Sequence, residues 1–279
     1  MPVLLPSWKR WPENVCVAMH GIMQVGPRRR YPRPMTDADV TPALLDADLA
    51  EQWDAVVDWL RTLDDDVFDT PSPLPGWRVR DLVAHLGEAM GVLARAEPAD
   101  EPAVVPTDEH HHPERRHDLA SYLASYVENA EGIHARAVEV AQEQADDPVA
   151  VVEEDGAAAL EHLTQLRSDG VAAVRVRRGI VPLDQLVTTR LVELVVHADD
   201  LSRSAHVATA VDPTARTIVS DALLAIVRRR SGYEVDVVDE RAWVRLATGR
   251  LAWDDRGDAL RSGNLAEGLP DLSAYLPLV

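Results

Sequence analysis

The chain has 279 residues, of which 46% are hydrophobic, so it is long enough to bury a sizeable core in one large domain or two smaller ones. Its formal net charge of −19 excludes a general phosphate-binding surface, and we expect no nucleic-acid partner. Cys16 is the single cysteine, which excludes an internal disulfide, fits a reducing cytoplasm and means that any thiol chemistry needs a thiol from outside.

The first 34 residues differ in charge from the rest of the chain. They carry six basic side chains against one acid, Glu13, so this segment has a net charge of +5 and the remainder −24. The segment lacks a clean apolar core followed by a small-residue cleavage site, which argues against a signal peptide. No run in the whole sequence approaches the length of about 18 apolar residues that a spanning helix needs, so we expect no membrane insertion. We expect residues 1–34 to be a disordered extension or a misassigned start.

Apolar residues at helical spacing predict the first elements. Thr41 followed by Pro42 is typical of a helix start, and the helical pattern continues to Leu63. After a break rich in proline, a second helix is predicted from Trp77 to Ala96, with His85 at the edge of its buried face.

The stretch 97–115 is rich in proline and acids and contains the triple histidine His110–His112. Without fixed geometry we interpret it as a solvated loop rather than a metal site. A third helix is predicted from Asp118 to Gln144 and a fourth from Ala157 to Ala173. Gly179 to Pro182 is predicted to form the turn into the next helix.

The pattern changes after Ser204. Asp212 and Pro213 start a predicted helix over Thr214 to Arg230, and the alternation of apolar residues from Ala242 to Ala247 predicts a half-buried strand. We therefore expect a helical bundle over residues 35–210, followed by a small α+β module over residues 211–279.

The helix predicted from Leu183 to Arg203 is apolar around most of its circumference, with one polar stripe. Arg190, Glu193, His197 and Asp200 share that stripe. A helix this apolar should be buried, and buried charged groups are costly unless they pair or bind a metal. The stripe therefore predicts either an internal ion-pair network or a metal site.

Glu193 and His197 lie one helical turn apart and can coordinate one ion, although the same spacing also arises by chance. His85, at the inner edge of another helix, is the best candidate for a third ligand. Two histidines and one glutamate are typical of catalytic zinc, because the fourth position stays open. Asp200 is a candidate acceptor that orients a ligand, and Arg190 a candidate to balance charge or hold a substrate carboxylate.

Two stretches resemble one known family. LPGWRVRDLVAHLG, from Leu74 to Gly87, and TRLVELVVHADDL, from Thr189 to Leu201, are similar to motifs of the mycothiol-dependent maleylpyruvate isomerase family, within the DinB-like bundles. The resemblance implies a mainly α fold, with a DinB-like up-down four-helix bundle before the small α+β domain. It also implies that His85, Glu193 and His197 hold the metal. The tail from Arg241 to Val279 resembles a small sterol-carrier-like module.

The resemblance implies a metal-dependent enzyme that uses mycothiol or a similar thiol as cosubstrate, and the single cysteine predicts that it is cytoplasmic. The thiol would add to an activated cis double bond of a small substrate such as maleylpyruvate, the bond would rotate, and the thiol would leave; related proteins transfer a thiol to other electrophiles. Zinc is the expected metal, although nickel, iron or manganese suits the same ligands. Arg190, Arg245 and Arg250 are candidates for a substrate carboxylate, with structural ion pairs as the alternative. The alternative function is a non-catalytic protein that binds a lipid or other small molecule.

Overall fold

A computed structural model describes residues 40–99, 115–143, 147–208, 210–264, 266 and 268–279. The predictions for residues 1–34 and for His110–His112 lie outside these residues. Within them, eight α-helices follow in chain order: α1 Pro42–Leu60, α2 Val79–Ala94, α3 Leu119–Glu128, α4 Ala130–Glu143, α5 Pro148–Ser168, α6 Leu183–Ala205, α7 Pro213–Ser231 and α8 Glu240–Ala247. None of these helices is long and apolar enough to span a bilayer.

Two small antiparallel sheets accompany the helices. The first contains β1 Glu97–Ala99, β2 Ala173–Val176 and β3 Gly179–Pro182, in that order, and the second pairs β4 Val235–Val237 with β5 Leu260–Ser262. Helices dominate, and the last sheet lies with α7 and α8 after the bundle. The prediction of a mainly α fold with a small α+β part is confirmed.

The bundle is built around α6. This helix packs against α1, α2, α3 and α7, while α2 packs most extensively against α5 and also against α4. Because neighbours cover several sides of α6, nearly every residue from Leu186 to Ser202 is buried. This explains why the sequence of α6 is apolar around most of its circumference.

Side-chain caps fix where several helices begin. Thr41 Oγ1 accepts from the backbone N–H of Leu44 at 3.3 Å, with Pro42 at the first helical position, and Asp212 caps α7 in a similar way. These caps satisfy backbone donors that the first turn of a helix leaves without partners. The predicted starts of α1 and α7 are confirmed.

The prediction of one helix from Asp118 to Gln144 is wrong, because the helix is interrupted at Asn129, which separates α3 from α4. Asn129 has φ −113°, and its side-chain amide donates to the carbonyl of Ser125 at 2.8 Å. A short polar side chain that bonds to the backbone in this way competes with helix continuation. Apolar periodicity continues across the break and therefore did not reveal it.

The boundaries around β2 and β3 also differ from prediction. The helix predicted from Ala157 to Ala173 is α5, which starts earlier, at the Asp147 cap, and ends at Ser168. Residues 179–182, predicted as a turn, form β3, and the turn lies at residues 177–178. Gly179 has φ +136°, and a Cβ there would lie 2.0 Å from the carbonyl oxygen of Arg115, so glycine is required at this close approach.

The strand predicted from Ala242 to Ala247 is wrong, because this segment is α8. Asp239 caps its start by accepting from the N–H of Ala242 at 3.0 Å. A strand would place Trp243 on the polar face, but Trp243 is fully buried and its indole N–H donates to the carbonyl of Ser220 at 3.0 Å. Six residues of alternation were too few to distinguish a strand from a short helix.

Candidate metal and active site

The polar stripe of α6 faces α2 at His85. Oε2 of Glu193 lies 3.3 Å from Nε2 of His85 and 3.2 Å from Nε2 of His197. One possible ligand atom from each of the three side chains lies within 4.8 Å of the other two. A search of the described residues for histidine, cysteine and acidic side chains at the spacing of a metal site gives this group of two histidines and one glutamate. The structure thus brings together the three residues that the sequence analysis names as candidate ligands of one ion.

Packing holds the three side chains in place. Glu193 and His197 are 8% and 7% exposed, and His85 is partly buried. The rings of His85 and His197 meet edge to face with centroids 4.9 Å apart, and Trp77 meets His85 in the same manner at 5.5 Å. Ring packing of this kind restricts rotation of the imidazoles, so the arrangement is preorganised.

Burial and hydrogen bonding set the protonation of the cluster. Burial alone would raise the pKa of Glu193, but hydrogen bonds with His197 and His85 outweigh it and hold that pKa well below its usual value. Burial lowers the pKa of His85, and its contact with Glu193 offsets this only in part. Burial also opposes protonation of His197, but its hydrogen bonds with Asp200 and Glu193 prevail and raise its pKa. Glu193 is therefore a carboxylate and His85 a neutral imidazole near neutral pH.

Asp200 lies behind His197. Its Oδ2 is 3.1 Å from Nδ1 of His197, and the same oxygen accepts from Nε and Nη2 of Arg250 at 3.2 and 3.0 Å. Burial would raise the pKa of Asp200, but His197 and Arg250 outweigh it and lower that pKa. Arg250 comes from the chain after α8, so this ion pair links the α+β part to the α6 stripe at Asp200.

The other two arginine candidates are also held by partners inside the protein. Arg245 donates to both oxygens of Asp199 at 2.6 and 3.0 Å, which makes it a structural ion pair, as is Arg250 with Asp200. Arg190 is 2% exposed and donates through Nη1 to the carbonyl of Ala89 at 2.6 Å. Its Nη2 donates to the hydroxyl of Tyr126 at 2.6 Å, and its Nε to Thr189 Oγ1 at 3.2 Å.

A cavity of about 600 Å³ opens beside the cluster, within the usual range for small-molecule sites. His85, Glu193 and Arg190 belong to its wall, together with Tyr126 and Tyr122 of α3. Further arginines line the cavity: Arg95, Arg115, Arg136, Arg177 and Arg178. The wall also contains Glu88, Glu128 and Glu193, so arginines outnumber carboxylates there by six to three although the chain as a whole is acidic.

Sequence reasoning missed Tyr126 and Arg178. Tyr126 counted only as a core position of a helix, and Arg178 lies in the turn between β2 and β3. The guanidinium of Arg178 lies 4.5 Å from the ring centroid of Tyr126 and 5.6 Å from that of Tyr122, so it packs on both aromatic faces. A tyrosine in place of an aliphatic residue at a core position was the one signal available, because a buried hydroxyl needs a partner.

A model of the family described as "Mycothiol maleylpyruvate isomerase N-terminal domain" matches residues 49–202, more than half of the chain. The chain belongs to this family. The matched range contains His85, Glu193, His197 and Asp200, whereas Arg250 lies beyond it.

A solved structure has the same fold as this chain. The structure, "Crystal structure of the mycothiol-dependent maleylpyruvate isomerase", has a TM-score of 0.55 and 16% sequence identity, and the match covers 85% of this chain and 98% of that one. A search of curated proteins finds no match to the sequence. The coverage extends the likeness past the family's N-terminal domain into the α+β part.

Proposed function

We propose that His85, Glu193 and His197 hold one divalent metal ion, with zinc preferred. Two imidazoles and a carboxylate match the donor set of catalytic zinc, which leaves a fourth position open. Donors bound at about 2.1 Å around a tetrahedral ion lie about 3.4 Å apart, and the two contacts of Glu193 with the histidines measure 3.3 and 3.2 Å. The donor set and these two spacings therefore fit the ion, and the third spacing, between the ligand atoms of the two histidines, is at most 4.8 Å.

The hydrogen bond to Asp200 favours the tautomer that metal binding needs. When Nδ1 of His197 donates its proton to Asp200, the lone pair of Nε2 is free and faces Glu193. Asp200 is thus proposed as a positioning residue, itself held by Arg250. Arg190 is proposed to balance the charge of the cluster from the neighbouring turn of α6.

We further propose that the protein is a mycothiol-dependent isomerase or S-transferase of the cytoplasm, acting on a small electrophile such as maleylpyruvate. A bound metal would supply acidification of the thiol, so that a thiolate is available near neutral pH. The cavity would hold the substrate, exclude bulk water and offset carboxylate charge through its arginines. The family match that spans a complete set of three donors is the observation that carries this proposal.

In the isomerisation, the thiolate sulfur adds to one carbon of the cis double bond, and the π electrons move onto the conjugated carbonyl oxygen as an enolate. The former double bond is then single and rotates. Return of the electrons from the enolate re-forms the double bond as trans and expels the same thiolate. Nothing is oxidised or reduced, and no external co-reactant is consumed.

The experiment is a turnover assay with zinc-loaded protein, mycothiol and maleylpyruvate, in which the trans product is quantified by chromatography. We expect product only when protein, metal and thiol are all present, and expect none with His197→Ala. Absence of product with the wild type would reject the isomerase and direct the search to transfer of the thiol onto other electrophiles.

The alternative function, a non-catalytic lipid-binding or sterol-carrier-like protein, predicts uptake of an apolar ligand that chelators do not affect. The cavity favours a charged ligand over an apolar one, because six arginines but only three glutamates contribute to its wall. An apolar tail would take water from the guanidinium groups that these glutamates do not pair, at a cost in free energy.

A further inference from the structure

Arg190 is a buried cation whose hydrogen-bond acceptors are all neutral. It is 2% exposed and donates to a backbone carbonyl, to the hydroxyl of Thr189 and to the phenol oxygen of Tyr126. Among the described residues, no carboxylate bonds to its guanidinium, although Glu193 lies one helical turn away on α6. A buried charge without a bonded counter-ion creates a positive potential, here in the wall of the cavity.

The geometry of Arg190 does not suit direct capture of a substrate carboxylate. A bidentate grip needs two parallel N–H groups from one edge of the guanidinium. Nε, Nη1 and Nη2 each already donate one hydrogen bond inside the protein, at 3.2, 2.6 and 2.6 Å. One N–H remains on each of Nη1 and Nη2, but the side chain is 2% exposed, so the positive charge of Arg190 acts on a ligand most directly through a group that it holds.

Tyr126 is that group. Its oxygen accepts from Nη2 of Arg190, which leaves the hydroxyl proton available for another acceptor, and the side chain is partly exposed in the wall that also contains His85 and Glu193. Arg178 packs on the face of the ring and fixes its plane. Burial raises the pKa of Tyr126 well above its usual value of 10.0, so the phenol keeps its proton at neutral pH.

We propose that Tyr126, polarised by Arg190, is the hydrogen-bond donor for the oxygen anion that forms on the substrate when the thiolate adds. A phenol that accepts from a guanidinium becomes a stronger donor, because hydrogen bonds in a chain polarise one another. The hydroxyl donates a hydrogen bond to the enolate oxygen and transfers no proton, so the electrons return unimpeded when the thiolate leaves. This assignment rests on the proposed function and names the substrate class as a small unsaturated carbonyl compound that passes through an enolate.

The test compares wild-type protein with Tyr126→Phe and the control Tyr233→Phe, which removes an exposed phenol that is not part of the cavity wall. We expect Tyr126→Phe to lower kcat by about 100-fold, the usual effect of removing one donor to an oxyanion. KM should change little, because the hydrogen bond strengthens as charge develops. Metal content and the melting profile by circular dichroism report whether the variant keeps its fold, and Tyr233→Phe should stay close to wild type.

A binding measurement makes the assignment independent of turnover. 4-Nitrophenolate carries its charge on one oxygen next to an unsaturated system, as an enolate does, and absorbs visible light. We expect titration of zinc-loaded protein to give a Kd about tenfold weaker for Tyr126→Phe than for wild type, the effect of one hydrogen bond to a charged group.

Failure of the assignment and failure of the proposed function look different. Wild-type protein that does not bind 4-nitrophenolate, or Tyr126→Phe that binds it equally well or retains kcat, overturns the role of Tyr126 and leaves the isomerase intact. Wild-type protein that binds 4-nitrophenolate through Tyr126 but never isomerises maleylpyruvate rejects the isomerase, and the oxyanion site then belongs to another thiol-addition reaction.

Discussion

Asp200 lies 3.1 Å from Nδ1 of His197, on the opposite side of the imidazole from Glu193. The carboxylate is fully buried and also holds Arg250, so it is fixed from two directions. A metal-bound histidine typically donates its second nitrogen to such an acceptor, which sets the tautomer and the ring orientation.

The first prediction concerns Asp200→Asn. His197 and Arg250 both contact the same oxygen, Oδ2, so the amide can keep both contacts, but it lacks the negative charge that strengthens them and its NH₂ group faces a donor on Arg203. We expect zinc affinity to fall by about 10- to 100-fold, as for other acceptors behind a ligand. Competition for zinc with a chromophoric chelator measures this affinity. Asp199→Asn is the matched control, since Asp199 pairs with Arg241 and Arg245 instead, and equal affinity of the Asp200 and Asp199 variants would rule out the orienting role.

The second prediction concerns the ion pair between Arg250 of the α+β part and Asp200 of α6. Arg250→Met leaves Asp200 buried beside His197 with only the weaker 3.4 Å contact from Arg203. We expect the free energy of unfolding to fall by about 1–3 kcal/mol in urea titrations, because a buried charge loses a main partner. Arg261→Met breaks an exposed pair with Asp236 and should cost less than about 1 kcal/mol. Equal losses would show that the Arg250–Asp200 pair has no special role.

The third prediction concerns the packing of α5 against α1. A Cβ added at Gly156 would lie 1.9–2.2 Å from the indole of Trp53, which is 3% exposed and has no room to move aside. We expect Gly156→Ala to destabilise the protein by about 1–3 kcal/mol through overpacking. Gly132 in α4 has no atom within 4 Å of the added Cβ, so Gly132→Ala should be neutral or stabilising by up to about 1 kcal/mol. Thermal unfolding of both variants checks the difference, and similar melting temperatures would contradict it.

The fourth prediction concerns removal of the metal. An ion that binds only the folded chain stabilises it by about 4 kcal/mol when its free concentration is about 1,000 times Kd. We expect a chelator such as EDTA to lower the melting temperature of the wild type by several degrees and to have no effect on His197→Ala. A chelator effect of the same size on both proteins would place the stabilising ion elsewhere.

The candidate site was more predictable from sequence than its surroundings. Glu193 and His197 lie on one helix, so the helical period alone brings them together, and His85 followed from its place on a second apolar helix. The Arg190–Tyr126 bond joins α6 to α3, and the Asp200–Arg250 bond joins α6 to the chain after α8. Such contacts depend on how helices pack in three dimensions, which periodicity within one segment does not encode.

The secondary structure likewise separates into features that the local sequence predicts and features that depend on packing between segments. The starts of long helices with clear caps, such as α1 and α7, were predicted to within one residue because local hydrogen bonds define them, whereas α1 ends three residues before the predicted Leu63. The break at Asn129 and the helical form of α8 were missed. In both, apolar spacing over a few residues allows more than one structure. The side-chain hydrogen bond of Asn129 decides the first case, and burial of Trp243 in the finished fold decides the second.

The central claim is that His85, Glu193 and His197 together bind one divalent ion. The most direct measurement is metal content per chain by inductively coupled plasma mass spectrometry, after zinc loading and gel filtration, for wild type and for His85→Ala, Glu193→Gln and His197→Ala. His134→Ala is the control, because His134 stacks on the same Trp77 that packs against His85 but lies outside the cluster. We predict about one zinc per chain in the wild type and the control, and far less in the three cluster variants. Equal zinc content in all five proteins, or none in the wild type, would contradict the account.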